Sequence, residues 1–169
     1  YYAMQWDQSG ATPMVWGDIA GALVAAAMIP SADQDPGAAD VRVLLPYVIR
    51  YTSPTVALEA LPLPDEGARY DFDGQGYTTL DTVFGRELGG DAIMWTRSGG
   101  TWTATPIARP VDAIGDATVR TAPDRAAACI SFATTTTPVA YLVTPSATTA
   151  LGDYACDAAF AEGHFVLRG

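Results

Sequence analysis

The chain has 169 residues, 49% of them apolar and 17% charged, with a mean hydropathy of +0.13. That is enough apolar material for a packed core and argues against a disordered chain. Nineteen acids against nine basic residues, every one an arginine, set the formal charge at −10, so nucleic acids and anionic membrane surfaces are disfavoured partners.

Lysine and asparagine are both absent, the compositional mark of a GC-rich genome. Without lysine the chain offers no Schiff base, no P-loop and no Ser-Lys dyad, and without asparagine it has no N-glycosylation acceptor. The acids are dispersed and read as a solubilising surface.

The chain opens on Tyr1-Tyr2 rather than Met, as a processed or excised chain does. The segment "MVWGDIAGALVAAAMIPSADQDPG" then offers Asp18 as a helix N-cap, an Ala-rich run and a stop at Pro30, which predicts a helix. A helix apolar on nearly every side is expected to bury against the body or a neighbouring subunit. The run from Ile19 to Ile29 is too short to span a bilayer and lacks the basic region of a signal peptide. Residues 1–40 are therefore expected to form an N-terminal helix or arm, and residues 41–169 a β-domain.

From Val41 the texture changes to strands. "VRVLLPYVIRYT" is β-branched and aromatic, with Pro46 suggesting an edge or a bulge. "TVALEALPL" alternates, placing Val56, Leu58 and Ala60 on one face and Ala57, Glu59 and Leu61 on the other. An acidic loop follows, and "TTLDTVFGREL" reads as a short helix ended by Gly89-Gly90.

"DAIMWTRSGGTWTATPIA" carries the clearest local signal. Gly99-Gly100 between two strand-like runs predicts a two-residue hairpin turn that pairs Ser98 with Thr101 and Arg97 with Trp102. Period two then gathers Ile93, Trp95, Arg97, Trp102 and Ala104 on one face. Met94, Thr96, Ser98, Thr101, Thr103 and Thr105 line the other. "ARPVDAIGDATVRTAPDRAA" reads as a connection, and "AACISFATTT", "PVAYLVTPS" and "GHFVLRG" as three further strands. The expected fold is mainly β, an antiparallel β-sandwich or jelly-roll-like barrel with one N-terminal helix or arm.

Three constellations bear on chemistry. "YDFDGQGYTTLD" partly matches a calcium loop, with Asp71 and Asp73 at its first and third positions and Gly76 at the sixth. Thr82 stands where that template needs a bidentate Glu. An ordinary Asp/Gly turn fits as well, so the expectation is no cofactor, with structural Ca2+ at Asp71 and Asp73 as the alternative. Trp95, Arg97 and Trp102 form an aromatic face that either stacks on a surface glycan or fills the core. Cys129 and Cys156 lie in strand-like segments and can form a disulfide between neighbouring strands.

Nucleophilic hydrolysis has little to work with: the single histidine, His164, reads as a strand or turn residue, and no G-x-S-x-G elbow is present. Paired carboxylates among Asp65, Glu66, Asp71, Asp73, Glu87 and Asp91 leave a small secreted hydrolase as an alternative. The Thr/Ala/Pro-rich strands resemble viral and phage surface β-domains. The expected role is a non-enzymatic structural protein of an extracellular assembly, such as a virion's capsid, decoration, tail or spike. Its partners would be copies of itself or other subunits. A glycan- or receptor-binding β-module using Trp95 and Trp102 is the other reading.

Overall fold

The computed structural model describes residues 15–19, 22–30, 44–52, 55–66, 68–72, 81–122, 126–161 and 164–169, and its elements there are β-strands in four antiparallel sheets. Sheet I contains β1 (Val15–Ile19), β2 (Ala22–Pro30), β3 (Leu44–Thr52) and β4 (Thr55–Ala60), side by side in that order. Sheet II is β5 (Tyr70–Asp71), β6 (Thr82–Glu87), β7 (Ala92–Ser98) and β8 (Thr101–Ile107). Sheet III orders β12 (Ala147–Gly152), β11 (Val139–Thr144), β10 (Ala128–Thr134) and β9 (Ala113–Thr121). Sheet IV is the hairpin of β13 (Ala155–Ala161) and β14 (His164–Arg168). The architecture is mainly β and compatible with a β-sandwich.

Strand alternation explains how the sheets stack. In β7, Ile93 and Trp95 point into a core shared with Val48 of β3, Leu61, Tyr70, Phe72 and Trp102. Their neighbours Ala92 and Met94 point the opposite way, into a core with Phe84, Ala117, Val119, Ile130, Phe132 and Val143. Sheet II is thus covered on both faces, by sheet I on one side and sheet III on the other. In β10 the pattern repeats. Ala128, Ile130 and Phe132 face sheet II, while Cys129 faces sheet IV, meeting Cys156, Phe165 and Leu167. Strands covered on both faces read as continuous apolar runs, and each fully buried large side chain contributes about 1.5–3 kcal/mol.

The hairpin forms in the expected register, with Ser98 opposite Thr101, Arg97 opposite Trp102 and Trp95 opposite Ala104. Gly99 and Gly100 have φ of 58° and 88°, the pair of positive angles that a type I′ turn requires and that side chains resist. The threonines at the end of β10 turn the chain. The Thr134 hydroxyl donates to the Thr137 carbonyl at 2.7 Å and accepts the Thr136 N–H at 3.1 Å.

Several expectations are corrected. The Ala-rich run is strand β2, not a helix: it pairs with β3 from Leu23 opposite Tyr51 to Pro30 opposite Leu44. Helix propensity is a weak preference, and an apolar run without periodicity takes whichever form its partner supplies. Residues 82–87, read as part of a short helix, are β6, paired with β7 and set between two cores. The supposed connection after Pro110 contains β9, which pairs with β10.

Pro46 lies inside sheet I rather than at an edge. Its carbonyl accepts the Leu61 N–H at 3.0 Å, just past the end of β4. In an antiparallel strand the N–H and C=O of one residue point the same way, so the missing donor faces the spot where β4 has ended.

Candidate functional site

Asp71 and Asp73 are the candidate ligands of the structural Ca2+ alternative. Asp71 is taken by an ion pair with Arg86, at 3.0 Å, and the same guanidinium donates to the Ala117 carbonyl at 2.7 Å. Asp73 lies outside the described residues. Among the described residues, no three His, Cys, Asp or Glu side chains are grouped to hold a metal.

The tryptophans form no open platform. Trp95 is fully buried and Trp102 is 8% exposed. Trp95 donates its indole N–H to the Pro62 carbonyl at 2.8 Å, and the rings of Tyr70 and Phe72 meet it edge-on at 6.4 and 5.9 Å. The side-by-side exposure that sugar stacking needs is replaced by core packing, because sheet I covers this face of the hairpin. Gly85 on β6 makes room for the ring: a Cβ there would lie 2.8 Å from the Trp95 indole and 2.9 Å from the Asp71 carbonyl.

Arg97 and Trp102 do meet a partner that was not singled out, Glu59 of β4. Trp102 donates its indole N–H to Glu59 Oε2 at 2.7 Å. Arg97 donates from Nη2 to Oε1 at 3.1 Å, with its Nε 3.1 Å from Oε2 and off the line of a hydrogen bond. Arg50 of β3 donates from Nε to Oε1 at 3.2 Å. Burial pushes the Glu59 carboxyl up, but the Trp102 hydrogen bond and the Arg50 and Arg97 charges outweigh it and hold its pKa below the ordinary 4.5. This polar lock ties sheet I to sheet II beside their apolar core. Glu59, Leu61, Pro62, Thr101 and Trp102 also edge a shallow cleft of about 430 Å³.

The lock fixes which way β4 faces. Register puts Val48 opposite Glu59 and Arg50 opposite Ala57 on the inner face, and Tyr47 opposite Ala60 and Ile49 opposite Leu58 on the outer one. Val56 and Leu58 are therefore 61% and 60% exposed, while Glu59 is mostly buried. β4 is also an outermost strand of sheet I. The alternation of "TVALEALPL" is as expected, but its apolar side faces out. The signal available in sequence was the pair Arg50 and Arg97, each on a strand beside a core and each in need of an acid.

Cys129 and Cys156 form the disulfide, with Cα atoms 5.9 Å apart and a separation of 27 in sequence. It joins β10 to β13, hence sheet III to sheet IV, rather than two strands of one sheet. The Ser131 hydroxyl supports the joint by accepting the Cys156 backbone N–H at 3.0 Å.

Of the remaining candidate acids, Asp65, Glu87 and Asp91 lie near one another. Glu87 has Asp65 and Asp91 nearby, and burial first, then those two charges, raise its pKa above 4.5. Asp91 accepts the Arg109 backbone N–H at 2.8 Å, and Glu66 is exposed. His164 begins β14 and is exposed. No described helix is long and apolar enough to cross a membrane.

Comparison of the chain with protein-family models, curated proteins and solved structures finds no match in any of the three.

Proposed function

We propose that this chain is a non-enzymatic structural subunit of an extracellular assembly, of the kind that builds a virion's capsid, decoration, tail or spike. One observation carries the reading: Val56 and Leu58 of β4, an outermost strand of sheet I, are about three-fifths exposed and turned away from the core that Glu59 faces. Exposed aliphatics clustered on a sheet face mark contact surfaces, whereas isolated ones need no explanation. The disulfide supports an oxidising compartment, where such bonds persist. The charge of −10 keeps free subunits soluble until they dock.

The test is size fractionation of native material followed by peptide mass spectrometry. The expected result is many copies of the chain in large particles. Recovery only as free monomer in a soluble fraction would sink the reading.

A further inference from the structure

Sheets III and IV leave a cavity of about 310 Å³ between them, beside the disulfide. We propose that this cavity binds a small tetrahedral oxyanion, a phosphate or sulfate group, between Arg120 and Arg168. The proposal is independent of the assembly reading, and its failure would leave that reading standing.

Strand alternation builds the site. In β9, Ala117 and Val119 face the core shared with sheet II, so Thr118 and Arg120 look the other way, towards sheet IV. Register sets Thr118 opposite Ser131 and Arg120 opposite Cys129 of β10. Arg168 of β14 stands opposite Ala155 of β13 and edges the cavity from the sheet IV side. Two guanidiniums and two hydroxyls thus converge from three strands, and all four groups are hydrogen-bond donors. Among the described residues that line the cavity there is no acid.

That gathering of cations stands out in an acidic chain. Acids outnumber arginines 19 to 9, and Arg50, Arg86 and Arg97 are each held by a carboxylate. Arg168 is exposed and makes no ion pair or hydrogen bond among the described residues. Arg120 is half-buried, and its Nη1 donates to the Val119 carbonyl at 3.2 Å, which steadies the guanidinium at the cavity. A planar guanidinium fork matches two oxygens of an oxyanion at once.

Ser131 adds a buried donor. It is 4% exposed, and its oxygen already accepts the Cys156 N–H at 3.0 Å, so its hydroxyl proton is what it offers a ligand. The disulfide and that hydrogen bond fix β13 against β10, which holds the donors in place before a ligand arrives.

Size and field narrow the ligand. The cavity is at the small end for ligand sites, with room for an oxyanion and a few further atoms against Ala133 and Pro138. A carboxylate has only two oxygens to share among four donor groups, whereas phosphate and sulfate present their oxygens on every side. The charge of −10 opposes a long polyanion far more than a single group that enters the cavity.

The test is calorimetric titration of the purified full chain with sodium sulfate, sodium phosphate and glucose 6-phosphate, against sodium chloride at matched ionic strength. Backbone amide NMR locates the site. The expected result is saturable binding at about millimolar concentration, with shift changes gathered at Thr118, Arg120, Ser131 and Arg168. Arg168→Gln is expected to weaken binding about tenfold or more. Because Arg168 is exposed, the melting temperature of that variant should stay within a few degrees of the parent. Arg168→Lys keeps the charge without the fork and should fall between the two.

Tighter binding of the sugar ester than of the inorganic ions assigns the Ala133 and Pro138 wall to the rest of the ligand. Equal binding assigns the site to the free ion, and either result upholds the oxyanion. Binding no stronger than that of chloride, shift changes gathered elsewhere, or affinity indifferent to Arg168→Gln overturns the proposal.

Discussion

β4 and β7 are both alternating strands, yet they resolve alternation in opposite ways. β7 sends Ile93 and Trp95 into one core and Ala92 and Met94 into another, so both of its faces are apolar and dry. β4 has one covered face, and on that face sits the acid. Val56 and Leu58 look outward because Glu59 has Arg50, Arg97 and the Trp102 indole waiting inside. A carboxylate is costly to bury unless it is paired and hydrogen-bonded, and Glu59 is both. Polar partners can therefore set strand orientation against the usual order of hydrophobicity, and the displaced aliphatics become surface.

Substitutions at the two strands should separate them. Trp95→Ala removes the largest fully buried side chain, two ring contacts and a hydrogen bond, and should cost about 3–5 kcal/mol in urea unfolding. A loss under about 1 kcal/mol would mean that sheets I and II do not meet there. Replacing Cys129 and Cys156 together by Ala should cost about 3–4 kcal/mol. The loss should show first as faster amide exchange in β13 and β14, which the bond fastens to β10.

Glu59→Gln should cost about 1.5–3 kcal/mol at neutral pH, the range for hydrogen bonds to charged groups. Its pH dependence has a definite sign. The folded pKa of Glu59 lies below 4.5, so its stabilisation is complete above that pH and is lost as pH falls through the folded value. The gap between parent and Glu59→Gln should therefore close on acidification. Glu87 behaves oppositely: its raised pKa makes the ionised form a burden that grows as pH rises from 4.5, so Glu87→Gln should gain stability at neutral pH. Equal effects of the two substitutions at pH 7 would contradict the electrostatics.

Gly85→Ala should cost about 1–3 kcal/mol, because the added carbon meets the Trp95 ring and a fixed backbone carbonyl. Smallest of all, Leu58→Ala should change monomer stability by no more than about 0.5 kcal/mol in a dilute thermal melt. A much larger loss would place Leu58 in a core and reverse the comparison.

The layers of sheets II and III were legible wherever sequence carried its own partner information. The Gly99-Gly100 hairpin is local, so the turn fixed the register and the register fixed both faces. The two cysteines were legible as a pair, though not as a link between sheets, since spacing along a chain does not say which layer each strand joins. β2 and β6 were not legible because their type depends on neighbours distant in sequence or on burial from both sides. The Trp95 and Trp102 face was legible as a face but not as an interior, because the layer that covers it comes from β3 and β4. Glu59 was passed over for the same reason: its partners Arg97 and Trp102 are 38 and 43 residues away.

The central claim is that β4 sits with its acid inside and its aliphatics outside. Hydroxyl-radical footprinting of the dilute full chain tests it most directly, because it reads side-chain access residue by residue. The account predicts strong labelling of Val56 and Leu58, protection of Trp95, and little labelling of Trp102. Protected Val56 and Leu58 beside labelled tryptophans would contradict it.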